Sequence, residues 1–215
     1  MRTPSDFAGA DAEMRRASLA LGLIFVGVIV SLLLGYLVEQ TGIVADILML
    51  LVGFLTLQVL GWPAKERILG GLPKPSGWLL GVGGGLVGYA IASAYVWLLF
   101  SMAELGDDGW LEEMDPGEMA IAWWSVVLVA PLLEEWLMRG IAWEAMTRIG
   151  GTRATLLVTS ALFALMHGLN GAAALEYPHR FAAGLVFGWL RLKTGSLIPP
   201  IVAHMVLNGL ATWMG

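Results

Sequence analysis

Apolar residues run along this chain in long blocks, broken by short polar or glycine- and proline-rich connections. A helix that crosses a bilayer needs about 20 mostly apolar residues. Read against that length, the chain predicts seven spans, at about 17–38, 42–62, 78–102, 120–146, 153–169, 180–193 and 197–213. No block alternates with a strand period, so the predicted fold is all-α, a polytopic transmembrane helical bundle. Its organisation is expected as a polar N-terminal segment (1–16), three N-terminal transmembrane helices (17–102), an acidic loop (103–119) and a C-terminal group of helices (120–215). The first apolar run is too long for a signal-peptide core and is expected to be retained as a span.

Composition agrees with the pattern. Of the 215 residues, 58% are hydrophobic and 13% charged, against about 45–50% and 25% in soluble domains. Twelve Lys and Arg against 17 Asp and Glu exclude a basic nucleic-acid binder. The absence of cysteine excludes thiol catalysis, disulfides and Cys-based metal sites. Charge also predicts orientation, because short cytoplasmic loops concentrate Lys and Arg. With the N-terminus inside, the inner segments hold Arg2, Arg15, Arg16, Lys65, Arg67, Lys74, Arg148, Arg153, Arg191 and Lys193, 10 of the 12 basic residues. The loop 103–119 carries seven acidic residues and no basic one, as expected of an outer loop. Size and composition suggest a bacterial cytoplasmic membrane. Overlapping small-residue pairs, Gly81 with Gly85 and Gly84 with Gly88, predict close approach of a neighbouring helix or a homodimer face.

Ionisable groups inside spans are costly and mark function unless they are paired. Here they fall in three clusters. In the fourth span, Glu135 and Arg139 are four residues apart on one helix face and form an expected structural ion pair. Glu134 is turned about 100° away and has no local partner. Such a carboxylate can serve as a general acid or base. In the fifth span, Phe163 and His167 share a face. In the last, His204 and Asn208 share a face and offer two donors to a developing oxyanion. Taken alone, His167 and the His204–Asn208 pair read equally as packing or helix–helix contacts, whereas Glu134 reads as functional in preference to packing. Together, Glu134, His167 and His204 can lie near mid-depth in three antiparallel spans, a hydrolytic set without a Ser or Cys nucleophile. His179, beside Pro178, is expected in an outer loop with no chemical role.

The three clusters resemble the CAAX protease and bacteriocin-processing family, the CPBP or Abi intramembrane proteases. Glu-Glu-x-x-x-Arg stands at 134–139, Phe-x-x-x-His at 163–167 and His-x-x-x-Asn at 204–208, in the family's order and on separate predicted spans. The approach to the last motif, from Gly188 to Asn208, is also similar, and the resemblance covers residues 120–210 or so. It implies an intramembrane endopeptidase acting on a membrane-anchored protein or peptide. Glu134 then corresponds to the catalytic glutamate, His167 to the histidine that helps activate water, and His204 with Asn208 to the oxyanion-stabilising pair. Glu135 and Arg139 match the remaining motif positions. No cofactor is expected. One Glu and two His could instead bind zinc at Glu134, His167 and His204, but no H-E-x-x-H motif is present. The alternatives are a non-enzymatic immunity or scaffold protein that keeps the motifs, and a proton-coupled transporter that uses Glu134 and His167 as a relay. A relay has no need of Asn208.

Overall fold

A computed structural model of the chain describes residues 4–37, 42–61, 64–103, 123–167 and 171–214. The predicted acidic loop therefore lies outside the described residues from Glu104 onward, as do Trp62, Trp110, Gly168 and Asn170. Among the described residues the secondary structure is entirely helical. The helices are α1 (Pro4–Leu37), α2 (Gly42–Leu60), the short α3 (Ala64–Leu69), α4 (Pro75–Ala103), α5 (Ala130–Glu135), α6 (Trp143–Leu165), α7 (Gly171–Thr194) and α8 (Ile198–Met214). Two π-helical segments, Ser125–Val129 and Trp136–Ala142, flank α5 and join it to α6 in one helical run. Two helical stretches, Gly9–Ser31 and Pro75–Leu99, are long and apolar enough to cross a membrane, and Ile47–Leu60 and Ile198–Met214 are shorter apolar helices.

Several boundaries differ from expectation. Helix α1 begins at Pro4, well before the predicted start at Ala17. Proline is favoured in a first turn, and residues 11–16 contain no helix breaker. The sixth segment, expected at 180–193, starts at Gly171 and carries Pro178 inside it. His179 is therefore helical, not part of a loop. Proline within a helix is tolerated where neighbouring elements hold the weakened turn. Here the Tyr95 hydroxyl of α4 donates to the Leu175 carbonyl at 2.7 Å.

The chain must reverse between the fourth and fifth predicted spans. Glu134 and His167 are 3.5 Å apart, whereas 33 residues of unbroken helix would separate them by about 50 Å. The break inside α6 is Gly151, at φ 69° and ψ −178°. A side chain is strained in that region, and glycine enters it freely. The reversal falls between Arg148 and Arg153, where the basic residues had placed an inner loop.

Small residues set how closely the helices approach. Helix α4 packs most extensively along α8. A Cβ on Gly81 would lie 2.9 Å from the Pro199 carbonyl oxygen, and one on Gly85 2.6 Å from that of Ala203. Gly84 faces Leu190 of α7 instead. The glycine face of α4 is thus filled by helices of the same chain. At the end of the bundle where α7 turns into α8, Arg191 ties α3 to that turn. Its guanidinium donates to the carbonyls of Arg67, Ile68 and Gly195 at 2.6, 3.0 and 2.8 Å. The core between these layers includes Ile24, Leu137, Ile141, Phe163, Phe187 and Leu190.

This packing makes a positional prediction. Gly85→Ala forces α4 away from the α8 backbone at the residue preceding His204 and should cost about 1–3 kcal/mol. Gly83, two residues away, meets nothing within 4 Å, so Gly83→Ala should be neutral or stabilising. Thermal unfolding of both variants in detergent checks this, and equal effects would remove the close-approach role of Gly85.

Candidate functional site

Five elements bring the predicted residues together. Glu134 and Glu135 end α5, Arg139 lies in the following π segment, His167 closes the helical run after Phe163 on α6, Gly184 and Phe187 come from α7, and His204 from α8. π segments hydrogen-bond from i to i+5 and recur at functional sites, where they re-aim side chains that a uniform helix would stack. Despite this, the expected ion pair forms. Arg139 Nη1 donates to Glu135 Oε1 at 3.0 Å with both side chains fully buried. Its Nη2 donates to the Gly184 carbonyl at 2.8 Å. The guanidinium lies 4.6 Å from the Phe163 ring centre and 5.4 Å from that of Phe187.

Glu135 does more than pair with arginine. The same Oε1 lies 3.1 Å from His204 Nδ1. A carboxylate oxygen accepts, so Nδ1 carries the proton and the other ring nitrogen turns toward Glu134, with Nε2 3.9 Å from Glu134 Oε2. The His204 ring is stacked on Phe187 at 4.9 Å and meets the edge of Phe163 at 5.4 Å. These contacts leave it little rotational freedom. Residues 135 and 204 are far apart in sequence, and no local pattern signals their contact.

His167 is held by the same logic. Its Nδ1 is 2.7 Å from the Phe163 carbonyl oxygen, an acceptor only, so Nδ1 donates. In the neutral ring, Nε2 then presents its lone pair to Glu134 Oε2 at 3.5 Å. That oxygen is buried and makes no hydrogen bond to protein. Two acceptors facing each other at this distance match a group that donates to both, as one water molecule does.

Asn208 is placed differently from its partner in the motif. It lines the same cavity as His204, but its Nδ2 donates to the Val126 carbonyl in the first π segment at 2.9 Å. The cavity is about 830 Å³. It is lined by Glu134, His167, His204 and Asn208, by Tyr89 to Trp97 of α4, and by His179 and Arg180 of α7. The last two were not among the expected site residues. No local spacing along the chain signals their entry, which depends on how α7 packs against α4. Among the described residues, no cluster of three or more His, Asp or Glu has the arrangement that holds a metal ion.

Comparison with known proteins agrees in position with this half of the molecule. Residues 116–210 match the family model described as type II CAAX prenyl endopeptidase Rce1-like. Among curated proteins and solved structures nothing matches.

The buried pair predicts a large stability effect. Arg139→Ala leaves Glu135 charged and half-satisfied in the core and should destabilise by about 3–5 kcal/mol. The measurement is abundance and thermal unfolding of the purified variant. Normal abundance with an unshifted transition would show that Glu135 is stabilised without Arg139.

Proposed function

We propose that this chain, whose residues 116–210 match the family model described as type II CAAX prenyl endopeptidase Rce1-like, is an intramembrane endopeptidase that cleaves a membrane-anchored protein or peptide. The observation that carries this reading is the convergence of Glu134, His167 and His204 on one wall of the α4–α8 cavity. The bundle is read as seven spans with the N-terminus on the inner side. The two long apolar helices and the basic inner turns at Arg67, Arg148 and Arg191 support that topology.

In the proposed reaction, water bound between Glu134 Oε2 and His167 Nε2 gives a proton to the carboxylate as its oxygen attacks the scissile carbonyl carbon. The carbonyl π bond breaks, and its electron pair moves to the oxygen. His204, protonated on both nitrogens and steadied through Nδ1 by Glu135, donates from Nε2 to that oxyanion. The second amide hydrogen of Asn208 is the other donor. Collapse of the tetrahedral intermediate breaks the C–N bond. Glu134 returns its proton to the leaving nitrogen, and a new amine and a new carboxylic acid, which keeps the second hydrogen of the water, are released. Glu134 and His167 supply the base function from the chain itself, so the reaction is proposed to need no metal.

Two measurements test these points. N-terminal peptide profiling of host membranes should show new termini near a membrane anchor with the wild type and none with Glu134→Gln at equal abundance. Identical profiles would overturn the protease reading and favour a scaffold or proton-coupled carrier. Once a cleaved peptide is in hand, EDTA should leave its turnover unchanged. Loss on chelation with recovery on zinc would overturn the metal-free mechanism.

A further inference from the structure

Helices α4 and α7 border two cavities. One is the site described above, against the later turns of α4. The other is a groove of about 770 Å³ against its first turns, whose walls include Ser76, Leu80, Gly83 and Val87 of α4 and Val186 and Trp189 of α7. The proposed reaction makes no use of it. Its floor is empty at Gly83, where a Cβ would meet nothing within 4 Å, whereas a Cβ on Gly84 would lie 2.7 Å from Leu190. Leu79 and Trp189, both lining residues, are 75% and 42% exposed. The groove therefore faces away from the bundle, which in a spanning chain is toward lipid. Of its lining side chains only those of Ser76 and Trp189 carry a polar atom.

Length and charge together indicate the occupant. From Ser76 to Val87 the helix rises about 16 Å at roughly 1.5 Å per residue, close to half of the hydrocarbon core of about 30 Å. The groove is thus as deep as one leaflet. Two lysines stand at its inner end. The Lys74 carbonyl accepts from the Gly77 amide at 2.7 Å in the turn that opens α4. A Cβ on Gly77 would lie 3.7 Å from the Thr194 methyl group, next to Lys193. The Lys193 ammonium lies 5.9 Å from the centre of the Trp189 ring, at the groove's edge. Both lysines are exposed, and among the described residues neither makes an ion pair. A hydrocarbon chain needs no donor or acceptor from such a wall, whereas an extended peptide would leave its backbone groups unsatisfied there. A second copy docked on this face about a two-fold axis would bring four lysines together at one depth, where like charges repel. Anionic headgroups at the inner interface attract them instead.

From this we infer that the groove binds one anionic phospholipid of the inner leaflet, with an acyl chain along Gly83 and the phosphate at Lys74 and Lys193, and that this lipid joins α4 to α7 on the inner side of the cavity both helices line. The inference takes its leaflet from the topology proposed above and is independent of the peptidase reading.

The test is native mass spectrometry of the full chain in detergent, titrated with phosphatidylglycerol or with phosphatidylcholine of the same acyl chains. The wild type should retain one phosphatidylglycerol and bind it about tenfold or more tightly than phosphatidylcholine, since one basic residue near an anionic surface contributes roughly fivefold. The double variant Lys74→Gln, Lys193→Gln should bring phosphatidylglycerol down to the level of phosphatidylcholine and leave the latter unchanged. Gly83→Leu, which fills open space, should weaken both lipids. Arg153→Gln removes an exposed basic residue of α6, which does not line the groove, and should change neither. Without lipid, the variants should unfold at the temperature of the wild type, and phosphatidylglycerol should raise the transition of the wild type and not of the double variant. Equal binding of the two lipids by the wild type, a loss in Arg153→Gln as large as in the double variant, or full phosphatidylglycerol binding by Gly83→Leu would overturn the inference. A dimer in place of bound lipid, lost in Gly83→Leu, would overturn it as well and assign the groove to a second copy. Lys193→Cys labelled only from the outer side would overturn the topology and the choice of leaflet while the lipid site stands.

Discussion

The buried pair between Glu135 and Arg139 is the constraint around which the C-terminal half is arranged. Two full charges away from water cost several kcal/mol each unless their remaining donors and acceptors are engaged. Arg139 meets that demand by reaching the Gly184 carbonyl on α7 and lying against Phe163 of α6 and Phe187 of α7. Glu135 meets part of it by accepting from His204 on α8 through the same oxygen, while Glu135 Oε2 and Arg139 Nε stay buried without a hydrogen-bond partner in the protein. One ion pair thus specifies where three other helices pass. A shift of any of them would leave a charge unsatisfied in the core, so the pair enforces a single arrangement more than it adds stability.

The chemistry proposed for this site borrows that rigidity. Glu135, anchored by arginine, orients His204, and the carbonyl of Phe163 orients His167. Both rings then turn Nε2 toward Glu134 Oε2. The neighbouring glutamates divide the work by their register. Residue 135 faces its own helix and the core, and residue 134 faces the cavity. The Asn208 amide on the Val126 carbonyl connects α8 to the π segment that precedes α5, so the two ends of the cavity wall are tied as well.

Packing of α4 matters to the site although α4 supplies no charged group to it. Its glycines admit the α8 backbone at Pro199 and Ala203, which sets how deeply His204 enters. Farther along, Tyr95 steadies the turn of α7 that contains Pro178, next to His179 and Arg180. The same helix therefore holds one wall of the cavity at a fixed distance from Glu134, His167 and His204 and supports the segment that carries the cavity's cation.

Much of this was legible along the chain because it depends on local spacing. Apolar blocks gave the helices, and basic residues around Gly150 and Gly151 gave the turn between α5 and the second part of α6. The i,i+4 rule paired Glu135 with Arg139, since one helical turn brings such residues together whatever surrounds them. Three motifs on separate helices selected Glu134, His167, His204 and Asn208. Other features depend on contacts between distant segments, which no local period encodes. The hydrogen bond from His204 to Glu135, the use of the Asn208 amide by Val126, the choice of α8 as the partner of the α4 glycines, and the entry of Arg180 and His179 into the cavity were all decided by tertiary packing. The π segments belong there too, since one extra residue in a turn is stabilised only by the neighbours it lets a side chain reach. The sequence by itself determined which groups would be too costly to leave alone in the membrane. The tertiary structure decided which of them would satisfy one another and which would be left facing a cavity.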